Sequence, residues 1–247
     1  MTRIATVMWL VLCAVSVEVK SAEAPAGTVP FVGCPADGQM GPVAPPAGHL
    51  VTVRMPAQLS TRLAYYKGDY APGVLAPAGW SCRVWYGSNG AFIIVMPTAP
   101  TKETNRTGIA GPGVEFLQRN GGTSGRFEVA ITAARFFPTL MTGFIQHVRE
   151  EKLIEDKYFA IQAYPDDRTV QIAANLVEFT TPAGSEGFGT EGFGESASPV
   201  SGLVAISDPQ GEPALWVLRV RLEDMDAALT TAIIKLEEEC LQHGTSC

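Results

Sequence analysis

The chain has 247 residues, with 18 Lys and Arg against 25 Asp and Glu, which gives a formal net charge of −7. An acidic protein has no electrostatic attraction for phosphate backbones or anionic lipid, so nucleic acid is excluded as an expected partner. The length is sufficient to bury a full hydrophobic core, as one large domain or two small ones.

The N-terminal segment predicts export. Arg3 precedes an apolar run of 14 residues, Ile4 to Val17, which is shorter than the roughly 20 residues that a membrane-spanning helix needs. This pattern is typical of a secretory signal peptide. We predict that residues 1–21 are a signal cleaved after Ser21, with cleavage after Ala24 as one alternative and an uncleaved anchor as another. The mature chain is then expected to be soluble, periplasmic or secreted, with no membrane span.

The remaining chain divides into a Pro- and Gly-rich extended lead, 22–50, and a single domain, 51–247. Hydrophobic periodicity and turn residues predict the elements of the first half of this domain. In chain order these are a short helix at 57–67, a strand at 80–86, a turn at 88–90, a strand at 91–97, a polar loop at 98–113 and a strand at 114–120.

The second half begins with helices and ends with a hairpin and a helix. The predicted elements are helices at 125–137 and 139–153, a weak strand near 158–163, a long strand at 169–181, a mobile Gly-rich loop at 182–199, a hairpin of 200–207 with 214–222, and a helix at 226–243. The loop contains the repeat EGFG, at 186–189 and 191–194. The last helix carries an apolar stripe of Met225, Leu229, Ile233, Leu236 and Cys240.

Strands and helices are segregated along the chain rather than strictly alternating. Segregation of this kind is typical of α+β proteins, whereas regular alternation is typical of α/β proteins with parallel sheets. The predicted fold class is therefore α+β, with antiparallel β-hairpins packed against a few helices and stapled by disulfides.

Four cysteines remain after export: Cys34, Cys82, Cys240 and Cys247. An even number in an oxidising compartment predicts two disulfides, for which three pairings exist. We favour Cys34–Cys82 and Cys240–Cys247, because each pair is nearest in sequence. The first would close a loop of about 49 residues and stabilise the fold by about 4 kcal/mol. The alternative is a metal site of Cys240, His243 and Cys247, but it lacks a fourth ligand, and we predict neither metal nor cofactor.

The strand at 80–86 alternates, with Trp80, Cys82, Val84 and Tyr86 on the face predicted to meet the core. Arg83 and Trp85 lie on the opposite face. If that face is open, these two residues form a candidate surface aromatic site for a sugar or a protein partner. Core packing is the alternative role for such aromatic residues.

The best candidate for a site in a loop is GGTSGR, comprising Gly121, Gly122, Thr123, Ser124, Gly125 and Arg126. The first interpretation is a helix cap, in which Thr123 or Ser124 accepts from free N–H groups. The second is an anion or ligand loop that uses backbone N–H groups and Arg126. The third is a nucleophile, Ser124, with His147 as its base and Asp166 or Asp167 orienting the imidazole.

Several strings occur together in this chain: FVGCPADGQ, PGVLAPAGW-x-C, YGSNG, GGTSGRFEVA and P-x-SGLVAI. As a set they resemble a family of uncharacterised bacterial proteins that bear signal peptides, over about residues 30–222. The resemblance implies a bacterial protein in which Cys34 and Cys82 belong to the shared framework. The family has no assigned activity, so the resemblance implies no functional residues.

These observations favour an exported bacterial protein that binds a small molecule or an envelope protein without catalysis. A secreted serine hydrolase that uses Ser124 is the alternative. A structural role in the cell envelope, with the EGFG loop as the contact segment, is a third possibility. One observation distinguishes the first two functions. A hydrogen bond from Ser124 to His147, with an acid behind the imidazole, would support the hydrolase, whereas a Ser124 side chain that only caps its own helix would exclude it.

Overall fold

The eight-stranded sheet at the centre of the molecule draws its strands from both halves of the chain. The computed structural model describes residues 26–159, 164–194, 196–223 and 226–242. The predicted signal peptide lies outside these residues, as does most of the weak strand predicted near 158–163. Tyr158, where that strand is predicted to begin, is the last residue of a 3-10 helix, Asp156–Tyr158.

Thirteen strands and five α-helices are present in the described part of the chain. The strands are β1 (Ala26–Val29), β2 (Phe31–Gly33), β3 (Ala36–Gly38), β4 (Val51–Arg54), β5 (Leu63–Lys67), β6 (Val74–Pro77), β7 (Ser81–Gly87), β8 (Gly90–Met96), β9 (Gly113–Asn120), β10 (Arg168–Ala173), β11 (Leu176–Thr181), β12 (Val200–Ser207) and β13 (Ala214–Arg221). The helices are α1 (Ala57–Ser60), α2 (Lys102–Thr107), α3 (Arg126–Phe136), α4 (Thr142–Glu150) and α5 (Ala227–Gln242).

The central sheet has the order β10-β11-β12-β13-β9-β8-β7-β3. Its neighbouring strands are antiparallel except β3 and β7, which run parallel. Two smaller sheets pair β1 with β4 and order β2-β5-β6. The predicted α+β class and both strong hairpins are confirmed. The hairpins are nevertheless parts of one larger sheet, because β9 pairs with β8 on one side and β13 on the other.

The sheet is covered on both faces. On one face, Leu218 of β13 shares a buried cluster with Leu229 of α5 and with the smaller sheets. On the other face, Val217 of β13 packs with Val129 of α3 and Ile145 of α4. Because successive side chains of a strand point to opposite faces, β13 contributes buried side chains to the clusters on both faces of the sheet.

Helix α5 begins and ends close to its predicted bounds. Leu229 and Ile233 of the predicted stripe are buried, as are Ile234 and Leu241. Leu236 of the stripe is only partly buried, so the buried face is rotated slightly from the predicted one. Met225, the first residue of that stripe, lies outside the described residues.

The predicted Cys34–Cys82 disulfide is confirmed, with Cα atoms 5.3 Å apart. Cys34 is fully buried, and β3 begins two residues later and pairs with β7. The bond therefore fixes the predicted lead against the strand that carries Cys82. Cys240 is also disulfide-bonded; Cys247, its predicted partner, is not among the described residues.

Several predicted elements differ from the structure, among them the polar loop predicted at 98–113, which contains helix α2. The helix predicted at 57–67 ends at Ser60, and Leu63–Lys67 forms strand β5 because it pairs with both β2 and β6. The long strand predicted at 169–181 is a hairpin of β10 and β11, turned where Asn175 exchanges hydrogen bonds with the backbone of Ile206. The lead is not merely extended, since it contributes β1, β2 and β3 to the sheets.

The Gly-rich loop predicted to be mobile is packed into the protein. The two phenylalanines of its repeat, Phe188 and Phe193, are only 2% and 1% exposed. A Cβ atom at Gly192 would lie 2.3 Å from the carboxylate of Glu115, so glycine permits this close approach. The glycines of the described part of this segment therefore permit close contact with the sheet.

Two arginines of β13 hold this loop. Arg219 donates to the carbonyl oxygen of Phe188, and its guanidinium lies 4.8 Å from the centroid of that ring. Arg221 lies 4.8 Å from the Phe193 ring and donates to the carbonyl of Gly194. The two arginines are two residues apart on one face of the strand, so each engages one copy of the repeat.

Candidate functional site

The GGTSGR loop connects β9 to α3, and Ser124 is exposed on it. The Oγ atom of Ser124 lies 3.3 Å from the Oγ atom of Ser88, in the β7–β8 turn. It makes no hydrogen bond with His147 in the described part of the structure. Nor is the predicted side-chain cap present, since the N-cap of α3 is Gly125 and no side chain caps this helix. Thr123 instead stabilises the turn before the helix, because its Oγ1 accepts from the N–H of Gly125 and donates to the carbonyl of Asn120.

The other members of the predicted triad are also engaged elsewhere. His147 is exposed on α4 and lies near Glu151, whose pKa is lowered mainly by its hydrogen bonds with Arg126 and only to a small extent by His147. Asp167 accepts from the Thr181 hydroxyl at 2.6 Å and from the Phe188 N–H at 2.9 Å. The structure therefore does not bring these residues together as a nucleophile, a base and an orienting acid.

The anion interpretation of the loop meets two opposing carboxylates. Arg126 makes a bidentate ion pair with Glu151, with nitrogen–oxygen distances of 2.8 and 2.7 Å. Glu212 approaches Gly122 and, with it, lines a cavity of about 210 Å³. A paired guanidinium and a nearby negative charge leave this loop poorly suited to an anion.

Trp85 is not the open surface aromatic residue that the sequence predicts as one alternative. It is 8% exposed and packs in a buried cluster with Ile94 and Phe193. The Nε atom of Arg83 donates to the carbonyl of Pro100. This face of β7 is covered because the β8–β9 connection and the EGFG segment fold over it.

Trp85 nevertheless lines part of a cleft, which we call the hairpin cleft. It has a volume of about 290 Å³ and lies beside the β7–β8 turn, between β3, α2 and β9. Its lining residues are Asp37, Gly38, Trp85, Tyr86, Gly87, Asn89, Gly90, Phe92, Asn105 and Arg119. Four separate segments of the chain thus meet at one site.

The apolar part of the hairpin cleft is a pair of stacked rings. Trp85 and Phe92 face each other across β7 and β8, with centroids 5.4 Å apart and planes 19° apart. The Arg119 guanidinium lies 5.7 Å from the Phe92 centroid. Gly90 keeps the turn close to β9, since a Cβ atom there would lie 2.1 Å from the carbonyl oxygen of Gln118.

The polar residues of the cleft retain unused hydrogen-bonding capacity. Arg119 uses Nε for Glu128 and Nη1 for the Gln118 carbonyl, which leaves Nη2 without a partner among the described residues. The side-chain amides of Asn89 and Asn105 are exposed and also lack partners there. The Asp37 carboxylate is 3.9 Å from Lys102 Nζ, beyond hydrogen-bond distance.

Part of this site is predictable from the sequence. The sequence indicated Trp85 and the turn that follows it, but it did not indicate Asp37, Asn105 or Arg119. Asp37 and Arg119 reach the cleft through the parallel β3–β7 pairing and the β8–β9 register, and Asn105 reaches it from α2. All three contacts join distant segments. A pattern within one segment of the sequence cannot predict contacts of this kind.

The predicted alternative of a C-terminal metal site falls mainly outside the described residues, because His243 and Cys247 are not among them. Within the ranges that the structure describes, no group of three His, Cys, Asp or Glu residues is placed to hold a metal ion. In those same ranges, no helix has both the length and the apolar character required to cross a membrane.

Comparisons with known proteins give no relative from which a function can be transferred. No family model matches the chain, and neither the curated proteins nor the solved structures include a significant match.

Proposed function

We propose that this protein is an exported, non-catalytic binding protein of the bacterial cell envelope, and that the hairpin cleft binds a saccharide. The observation that carries the proposal is the stacked pair of Trp85 and Phe92, surrounded by polar side chains without protein partners. A binding pocket typically combines an apolar surface with a few polar groups that fix orientation.

The chemistry of the lining residues favours a saccharide. A sugar ring has an apolar C–H face, which packs on aromatic rings, and hydroxyl groups that both donate and accept hydrogen bonds. The amides of Asn89 and Asn105 also do both, Asp37 accepts, and Arg119 donates. With one acidic and one basic side chain, the cleft carries no excess charge that would require a charged ligand.

The size of the cleft sets the scale of the ligand. A volume of about 290 Å³ is at the lower end of the range for small-molecule sites, about 300–1,000 Å³. It therefore accommodates one or two sugar units, with the remainder of a longer chain in solvent.

The proposal includes a location outside the cytoplasm. The Cys34–Cys82 disulfide fits an extracytoplasmic protein, because thiols are kept reduced in the cytosol. The N-terminal signal pattern supports export, and we infer a periplasmic or secreted location. The absence of an assembled triad around Ser124 in the described residues removes the support for the hydrolase alternative.

The test is a glycan array probed with the oxidised protein, followed by titration of any saccharide that binds. Asn89→Ala and Asn105→Ala should each weaken binding by about 3- to 10-fold, the cost of one hydrogen bond. Gln58→Ala is the matched control, since Gln58 is an exposed amide on α1 that does not line the cleft.

The saccharide should also be recovered chemically unchanged after prolonged incubation. Cleavage of the saccharide would contradict a non-catalytic role. Binding that is insensitive to both asparagine substitutions, or no binding across the array, would overturn the assignment of this cleft to saccharides.

A further inference from the structure

A second, smaller cavity lies between α3, β13 and the EGFG segment. We call it the arginine cavity. It has a volume of about 70 Å³ and is lined by Glu128, Ile131, Thr132, Arg135, Phe188, Glu191, Val217 and Arg219. None of these residues lines the hairpin cleft, so the two cavities are separate sites.

Arg135 carries a buried donor without an acceptor. Its side chain is 9% exposed, and its Nη2 atom is buried with no hydrogen-bond partner in the described structure. An unsatisfied buried donor costs free energy, and more so when it belongs to a charged group. The residue therefore retains hydrogen-bonding capacity at the wall of a cavity.

A carboxylate of the chain already bridges the two arginines of this cavity. Glu191 Oε1 lies 3.1 Å from Arg135 Nη1, and Glu191 Oε2 lies 3.4 Å from Arg219 Nη2. The Phe188 ring lies beside both guanidinium groups, at 5.4 Å from that of Arg135 and 4.8 Å from that of Arg219. The Tyr164 hydroxyl also donates to Glu191 Oε1, at 3.3 Å. Two arginines, a phenylalanine ring and a tyrosine hydroxyl thus contact a carboxylate that stays partly exposed.

The charges around the cavity balance only while that carboxylate is present. Arg219 also pairs with Glu115 at 2.7 Å, and Glu128 pairs with Arg119. Arg135 has no carboxylate other than Glu191 in the described residues. Removing the Glu191 charge therefore leaves one buried positive charge uncompensated, and one external monoanion would restore neutrality.

Of the three paired side chains Glu191, Arg135 and Arg219, that of Glu191 can move out of its ion pairs most easily. Its side chain is 38% exposed, whereas those of Arg135 and Arg219 are 9% and 5% exposed. It lies in a short 3-10 helix, Phe188–Glu191, within the Gly-rich segment. The carboxylate can move into solvent while both arginines remain fixed by the sheet and by α3.

We propose that the arginine cavity is a binding site for a small monocarboxylate, and that Glu191 is its internal occupant, displaced when the external carboxylate binds. Glu191 shows that a planar carboxylate can engage both guanidinium groups, and the free Arg135 Nη2 supplies an additional donor. A phosphate dianion fits less well, because it would bring a second negative charge into a small cavity beside Glu115 and Glu128.

The experiment is a thermal unfolding series in sodium formate or sodium acetate, compared with sodium chloride at equal ionic strength. In Glu191→Ala, the side chain that occupies the site is removed, and formate should raise the unfolding midpoint by about 3 °C or more relative to chloride. The wild-type protein should show a smaller rise, because Glu191 competes.

The repeat supplies a matched control. Glu186 occupies the same place in the first EGFG copy, is exposed and forms no ion pair in the described structure, so Glu186→Ala should behave as the wild type. Arg135→Gln combined with Glu191→Ala should lose the formate effect. Equal responses of Glu191→Ala and Glu186→Ala to formate would overturn the proposal, as would a formate effect that survives the loss of Arg135.

Discussion

The guanidinium carbon of Arg221 lies 4.8 Å from the centroid of the Phe193 ring. Its three nitrogens donate to the carbonyl oxygens of Gly111, Gly194 and Ile109, at 2.9, 2.6 and 2.6 Å. The residue is 1% exposed, and burial lowers the pKa of its guanidinium group. Arg221 therefore joins the EGFG segment to the β8–β9 connection through backbone carbonyls rather than through an ion pair.

Arg221→Lys should destabilise the protein by about 2–4 kcal/mol. Lysine keeps the charge but cannot present the planar donors that three separate carbonyls accept, so buried carbonyl groups lose their partners. The measurement is urea unfolding. Arg106→Lys, at an exposed position on α2, is the control, and an equal effect of both substitutions would show that the three carbonyl contacts contribute nothing.

The Cys34–Cys82 disulfide should stabilise the fold by about 4 kcal/mol, because it closes a long loop. The double substitution Cys34→Ala and Cys82→Ala should lower the free energy of unfolding by about this amount. Denaturant unfolding of both proteins without reductant checks this value. A loss below about 1 kcal/mol would mean that the β3–β7 pairing holds the lead without the bond.

Tyr65 should make stability depend on pH in alkaline solution. Burial, with a smaller contribution from Glu237, raises the pKa of its hydroxyl from 10.0 to about 12. The unfolded chain releases this proton first, so the stabilisation is complete below pH 10 and is lost as the pH rises towards 12. Since Tyr65 is only partly buried, the loss should be about 1–2 kcal/mol.

Tyr65→Phe should reduce that alkaline loss. The free energies of unfolding of the wild type and the variant are compared at about pH 9 and about pH 11. Burial also raises the pKa of Tyr66, so the variant retains part of the dependence. Tyr158→Phe removes a tyrosine that is 45% exposed and should leave the dependence unchanged; identical profiles for all three proteins would contradict the assignment to Tyr65.

Thr123→Ala should cost about 1 kcal/mol of stability, whereas Ser124→Ala should cost less than about 0.5 kcal/mol. Thr123 satisfies the Gly125 N–H and donates to the Asn120 carbonyl. Ser124 is exposed, and within the described ranges its hydroxyl has one hydrogen-bond partner, the Ser88 hydroxyl. Thermal unfolding of the two variants measures these losses of stability. A larger loss for Ser124→Ala than for Thr123→Ala would contradict the assignment of the stabilising role to Thr123.

Much of the fold follows from local patterns in the sequence. The β7–β8 and β12–β13 hairpins, helices α3 and α5, and the Cys34–Cys82 bond are all predicted. The helix expected at 57–67 fails because Leu63 and Tyr66 have helical spacing with Leu59 but are buried between β2 and β6 as part of a strand. Pairing with distant strands outweighs local periodicity there.

The packing of the EGFG segment and the arginine cavity is harder to predict from the sequence than the hairpins are. The strand 214–222 contains Arg219 and Arg221 among apolar residues, a pattern that indicates buried charge. The composition of the EGFG segment predicts a mobile loop because glycine dominates it, although each copy of the repeat contains a phenylalanine. The burial of these phenylalanines depends on arginines about 30 residues away, and sequence spacing does not reveal such contacts.

Under the proposed function, the position of the disulfide links oxidation of the exported chain to ligand recognition. Asp37, one wall of the hairpin cleft, lies three residues after Cys34, and the opposite half-cystine is in β7, the strand that contributes Trp85. A chain whose thiols stay reduced has no covalent constraint on that wall. Competence to bind would then be acquired only after translocation, which would prevent the newly made protein from capturing sugars before it reaches the compartment where it acts.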